Sequence, residues 1–89
     1  RQDVVLVGHT HIPVDFRVEH VRVLNPGSVG QPRDGDPRAS YMVIDLGSLS
    51  VELRRVKYDV DRVVSKLNSL GIEAKYVTWL RSILTEGRV

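Results

Sequence analysis

Val4-Val5-Leu6-Val7 is an unbroken apolar run closed by Gly8. Such a run, rich in β-branched residues, reads as a strand buried on both faces in the middle of a layered sheet. Val14, Phe16 and Val18 then alternate with Asp15, Arg17 and Glu19, the period of a half-exposed strand. Val21 and Val23 continue as a second short strand after a tight reversal at Glu19-His20. That reversal lacks the Asn-Gly or glycine chemistry of favoured two-residue hairpins. Asn25-Pro26-Gly27-Ser28 has the make-up of a type II turn, with proline presetting φ and glycine supplying the positive φ that follows.

From Val29 to Ser40 the chain is punctuated by Gly30, Pro32, Gly35 and Pro37, a long loop of the kind that often carries function. Tyr41 to Leu46 reads as a strand, Gly47-Ser48 as a turn and Ser50 to Tyr58 as a longer strand. In that last strand Val51 and Leu53 share one face while Val56 and Tyr58 share the other, which predicts a bulge or a strand buried differently at its two ends. The period then changes. Val60, Val63, Val64, Leu67 and Leu70 form a helical stripe over about 59–70, with Asp59 as N-cap and Gly71 as stop. Tyr76, Trp79, Leu80, Ile83 and Leu84 form a second stripe over about 73–86, ended by Gly87. The fold class is α/β, with strands over about 4–58 and two helices after them.

Composition narrows this picture. The 89 residues are 42% apolar and 27% charged, the balance of one small globular domain. No apolar run approaches the ~20 residues that span a bilayer, so no membrane partner is expected. The absence of cysteine excludes disulfides and thiolate sites and makes the cytoplasm the default setting. The net charge is +2, with Lys and Arg scattered among carboxylates, a solvated surface and not a specific nucleic-acid footprint. A strand buried on both faces also needs neighbours that the few residues before Val4 do not supply, which predicts a missing N-terminal half.

The candidate chemistry lies in Gly8-His9-Thr10-His11-Ile12-Pro13. In an extended segment residues two positions apart, as His9 and His11 are, point to the same side, with Cα atoms roughly 6–7 Å apart. That suits two metal ions about 3.5–4 Å apart, each taking one imidazole. The same pair equally fits two ordinary loop histidines, although the flanking glycine and proline favour an ordered turn. Asn25 opens the next turn and is a candidate for touching phosphate, or simply caps its own turn. Arg33 and Arg38 are candidates for clamping substrate phosphates, against ion pairing with Asp34 and Asp36.

The histidine loop, followed by Asn25-Pro26-Gly27-Ser28-Val29-Gly30-Gln31-Pro32-Arg33-Asp34-Gly35-Asp36-Pro37-Arg38-Ala39-Ser40-Tyr41, closely resembles the C-terminal half of the calcineurin-like metallophosphoesterases. The likeness is strongest to the small prokaryotic branch of YfcE-type and diadenosine-tetraphosphatase-like enzymes. It implies the C-terminal half of a four-layer α/β/β/α sandwich, with residues 1–89 as a C-terminal segment of one domain. It also implies two divalent transition-metal ions (Mn, Fe, Ni, Co or Zn), one bound by His9 and the other by His11.

The remaining ligands of that family, and its catalytic histidine, belong to upstream motifs that this sequence does not contain. No catalytic residue is therefore expected in the segment. The function implied is metal-dependent hydrolysis of phosphate monoesters or diesters by the parent protein, with the segment inactive alone. The alternative is a non-catalytic scaffold or interaction module on the same fold. The exposed sheet edges of a half-domain favour association, as with the N-terminal half or as a homo-oligomer.

Overall fold

The computed structural model describes residues 3–88. Five strands come first: β1 (Asp3–Leu6), β2 (Val14–Val18), β3 (Val21–Asn25), β4 (Ala39–Asp45) and β5 (Ser50–Val56). Two helices follow, α1 (Val60–Ser69) and α2 (Ala74–Glu86). The strands form two sheets, a three-stranded one in the order β1-β3-β2 and the hairpin β4-β5. In the first sheet β3 is central, parallel to β1 and antiparallel to β2. Val5 and Phe16 therefore flank Val23 from its two sides.

The reversal at Glu19-His20 forms without glycine because Glu19 itself takes the left-handed conformation, with φ of 56°. Gly27, at φ 85°, supplies the positive φ expected of the turn after β3. The register of β4 with β5 runs one to one from Ala39–Val56 to Asp45–Ser50, so the bulge expected in β5 does not form. Val56 lies on the face of Tyr41 and Val43, and all three are exposed. Leu53 on one face and Val56 on the other are equally exposed, at 46% and 47%, and Tyr58 falls beyond the strand.

β1 also differs from expectation. Val5, Leu6 and Val7 are 44%, 63% and 41% exposed, not buried on both faces. Among the described residues β1 has a neighbour on one edge only, so nothing covers its outer face or its second edge. The shape agrees. The radius of gyration is 16.1 Å and the extents are 52 × 20 × 19 Å, against about 12 Å for a compact chain of this length. Two small cores result: Leu24, fully buried at the end of β3, and Val64, Val77, Ile83 and Leu84 between the helices.

Charged staples link these parts. Arg22 grips Asp15 with Nε and Nη2 at 2.9 and 2.8 Å, and its Nη1 donates to the carbonyl of Leu49 at the hairpin tip. Arg55, on β5, donates to Asp34 and to the carbonyl of Arg38, fastening the long loop to the hairpin. α1 is capped by Asp59, whose carboxylate accepts from the Arg62 amide. On α2 the buried residues are Val77, Ile83 and Leu84, while Tyr76 and Trp79 of the expected stripe are exposed. The packed face is rotated by one residue from the aromatic pair.

α2 ends at Gly87, φ 68°, whose carbonyl accepts from Gly35 in the long loop at 3.0 Å. A Cβ here would stand 2.6 Å from the Asp36 carbonyl carbon. Gly71 ends α1 at φ 74° with nothing within 4 Å of such a Cβ. Gly71→Ala is expected to cost only the left-handed penalty, about 1–2 kcal/mol, and Gly87→Ala clearly more. Denaturant unfolding of the intact protein checks the order, and equal costs would refute the close packing at Gly87.

Candidate metal centre

The histidine loop leaves β1 where Val7 still donates to the Leu24 carbonyl at 2.9 Å, the last rung of the β1-β3 ladder. Beyond it the chain is not extended, as the sequence reading supposed. His9 has φ of 76° and His11 φ of 61°, both left-handed. Each such residue costs about 1–2 kcal/mol without glycine, and strain of this kind survives only where surrounding contacts impose it. The two side chains are therefore placed by a twisted loop, and the extended-strand spacing does not describe them.

The contacts that impose it are specific. His11 Nδ1 lies 2.9 Å from the Gln31 carbonyl oxygen. A carbonyl can only accept, so Nδ1 carries the proton and the neutral ring keeps its lone pair on Nε2. The His11 carbonyl in turn accepts from the Arg33 amide at 3.1 Å. Between these two rungs sits Pro32, which is buried. The segment Gln31-Pro32-Arg33 thus clasps His11 from backbone groups alone. His9 is exposed.

Asn25 is 2% exposed. Its Oδ1 accepts from the Gly27 amide at 2.9 Å, the turn cap expected of it. Its Nδ2 donates to Thr10 Oγ1 at 2.9 Å and lies 3.5 Å from the Gly8 carbonyl. Burial and these bonds give Asn25 work within the fold. The turn is fastened on its other side by Ser40, whose Oγ donates to the Pro26 carbonyl at 2.6 Å and whose amide donates to Ser28.

The arginines divide. Arg38 forms a bidentate pair with Asp36, and Arg55 holds Asp34 and lies 3.8 Å from Asp36. Arg33 is exposed, and among the described residues no carboxylate pairs with its guanidinium. It is the arginine tied by its own backbone to His11. Three residues matter here that the sequence reading passed over: Thr10, Gln31 and Arg55. Thr10 stood between the histidines as a visible hydroxyl. Gln31 acts through its backbone and gave no signal, and Arg55 looked like any charge on a strand.

Among the described residues no group of three or more His, Cys, Asp or Glu is placed to hold a metal ion. His11, with a fixed tautomer and a free Nε2, fits a divalent ion as one imidazole donor, and exposed His9 offers a second. Two neutral imidazoles are part of a ligand set and cannot balance the charge of two ions.

Comparison with known proteins decides the family. Residues 1–48 match the model of the calcineurin-like phosphoesterase superfamily domain. The chain belongs to that superfamily. It is 33% identical to an uncharacterized protein of Methanocaldococcus jannaschii, MJ0912, over 97% of its own length and 40% of the relative's. It is 45% identical to the phosphodiesterase YfcE of Escherichia coli, over 57% of this chain and 27% of YfcE. A crystal structure of a metallophosphoesterase from Sphaerobacter thermophilus superposes with a TM-score of 0.81 at 30% identity, covering 94% of this chain and 41% of that one. The chain thus spans between about a quarter and two fifths of the length of these proteins. Its five strands and two helices are a part of the metallophosphoesterase fold.

Arg38 and Asp36 make a direct electrostatic test of the loop. The side chain and then the backbone N–H of Arg38 hold the Asp36 carboxyl well below the usual carboxylate range, with Arg55 adding to the effect. A depressed folded pKa gives stability that is present above the unfolded value, about 3.9, and lost as pH falls below it. Asp36→Asn is expected to lower stability at pH 7, and the gap from wild type should shrink below about pH 4. Unfolding midpoints across that range check it, and a gap independent of pH would contradict the pairing.

Proposed function

We propose that this chain is the C-terminal segment of a single metallophosphoesterase domain, supplying one side of a metal-dependent centre that hydrolyses phosphate esters. The observation that carries the reading is the fixed tautomer of His11, with Nδ1 on the Gln31 carbonyl and Nε2 left free. The left-handed backbone at both histidines supports it. In this reading His9 and His11 each ligate one of two divalent ions of Mn, Fe, Co, Ni or Zn, and the other ligands come from outside the segment. Such ions supply a lowered pKa of bound water and neutralise charge developing on phosphoryl oxygens.

The chain's own residues then have distinct tasks. His11 keeps its Nδ1 proton on Gln31 and so serves as an oriented donor, not as a base. Arg33, with no carboxylate partner among the described residues and fixed by its amide to His11, reaches the phosphate of a monoester or diester as a bidentate donor. In this reading Asn25, which is buried, and Arg38, which is matched to Asp36, work within the fold and Arg33 is the substrate contact. The absence of cysteine suits a reducing compartment, and the cytoplasm is the setting of the proposal.

Kinetics of the intact protein on an aryl phosphodiester test this. Chelation of divalent ions should abolish activity, with recovery on adding manganese. His9→Ala and His11→Ala should each lose most of kcat. Arg33→Ala should lose roughly ten- to a hundredfold in kcat/KM, the worth of hydrogen bonds to a charged group, and Arg33→Lys less. An intact protein that binds no metal and is indifferent to these changes would instead support a scaffold on a phosphoesterase fold.

A further inference from the structure

Buried Asn25 does more than cap its turn. That task needs only Oδ1, which accepts from Gly27, and an aspartate or serine would serve it equally. What requires an asparagine is the other end of the amide. Its Nδ2 faces two oxygens, Thr10 Oγ1 at 2.9 Å and the Gly8 carbonyl at 3.5 Å. Turning the amide over would set its oxygen against the Gly8 carbonyl and its NH2 against the Gly27 amide, so this orientation is the consistent one. A side chain buried to 2% and bonded at both ends has one rotamer and no freedom.

Gly8 and Thr10 are the residues on either side of His9. His9 has φ of 76°, and no side-chain hydrogen bond of its own is found among the described residues. His11 has the Gln31 carbonyl to orient it, and among the described residues His9 has no equivalent partner. We infer that Asn25, acting through Thr10 Oγ1, is a positioning residue that holds His9 in its left-handed conformation and so aims its imidazole. The inference rests on the reading of His9 as a metal ligand. It assigns to the buried end of β3 the orienting work that a second partner normally does at the ligand itself.

Thr10 is exposed, so substitutions of similar size there open no cavity in the core. In the intact protein, Thr10→Val removes the hydroxyl at constant shape and Thr10→Ser keeps it. With cobalt(II) as the probe, Thr10→Val is expected to bind roughly ten- to a hundredfold more weakly than wild type, the usual effect of losing an orienting partner. Thr10→Ser should bind as wild type. In the metal-free protein the carbon chemical shifts of His9 should lose their left-handed signature in Thr10→Val and keep it in Thr10→Ser, while Thr10→Val also melts lower because the buried Asn25 amide loses its nearer partner.

Wild-type cobalt affinity together with left-handed His9 shifts in Thr10→Val would overturn the inference. A His9→Ala control separates the two levels. Wild-type cobalt affinity in that variant would overturn the metal reading itself, and the inference with it.

Discussion

The end of β3 is the point on which the site depends. β3 is the one strand with a partner on each side within the three-stranded sheet, and it finishes in Leu24 and Asn25, both buried. A buried amide without partners is costly, so the groups around Asn25 must come to it. They come from two directions: the turn at Gly27 and the histidine loop at Gly8 and Thr10. Leu24 contributes through its backbone, accepting from Val7 and extending the parallel ladder to the edge of the loop. The apolar end of a strand and one polar side chain thus set where two histidines emerge.

Around that point the molecule is held by hydrogen bonds and ion pairs more than by layers of apolar side chains. Pro32 and the Gln31 and Arg33 backbone clasp His11, and Ser40 ties the turn to β4. Arg55 gathers the long loop, and Gly87 brings the end of α2 against it. Meanwhile Val5, Phe16, Val43 and Trp79 lie exposed on open faces. A site whose geometry comes from directional bonds within one loop cluster keeps that geometry while large apolar faces remain open. This suits the metal-binding role proposed for the histidine loop, because orientation at a ligand comes from its partners and not from bulk burial.

Much of the fold was legible in the sequence, for reasons that also explain the misses. Alternation along Val14–Val18 and the stripe from Val60 report on the chain's own period, and strand and helix follow from that. Asn25-Pro26-Gly27 states its turn in residue chemistry. Burial is different, since it belongs to the neighbours: Val5 and Leu6 are as apolar as any core strand, yet no described residue covers them. The sign of φ at His9 and His11 was equally hidden, because no glycine marks it and tertiary bonds impose it. Of the candidate site, the histidines and Arg33 could be named as candidates from type and spacing. The Gln31 carbonyl could not, as a backbone atom leaves no mark in the pattern of side chains, and Asn25 was recognised as a turn residue without its second task.

The central claim is that the loop offers a metal ion one oriented imidazole nitrogen, Nε2 of His11, because Nδ1 is held on the Gln31 carbonyl. Anomalous diffraction from crystals of the intact protein grown with manganese measures this directly. The account predicts an anomalous peak at coordination distance, about 2.0–2.2 Å, from His11 Nε2 with the Nδ1 contact to Gln31 retained. A peak bound through Nδ1, or no peak at either histidine, would contradict it.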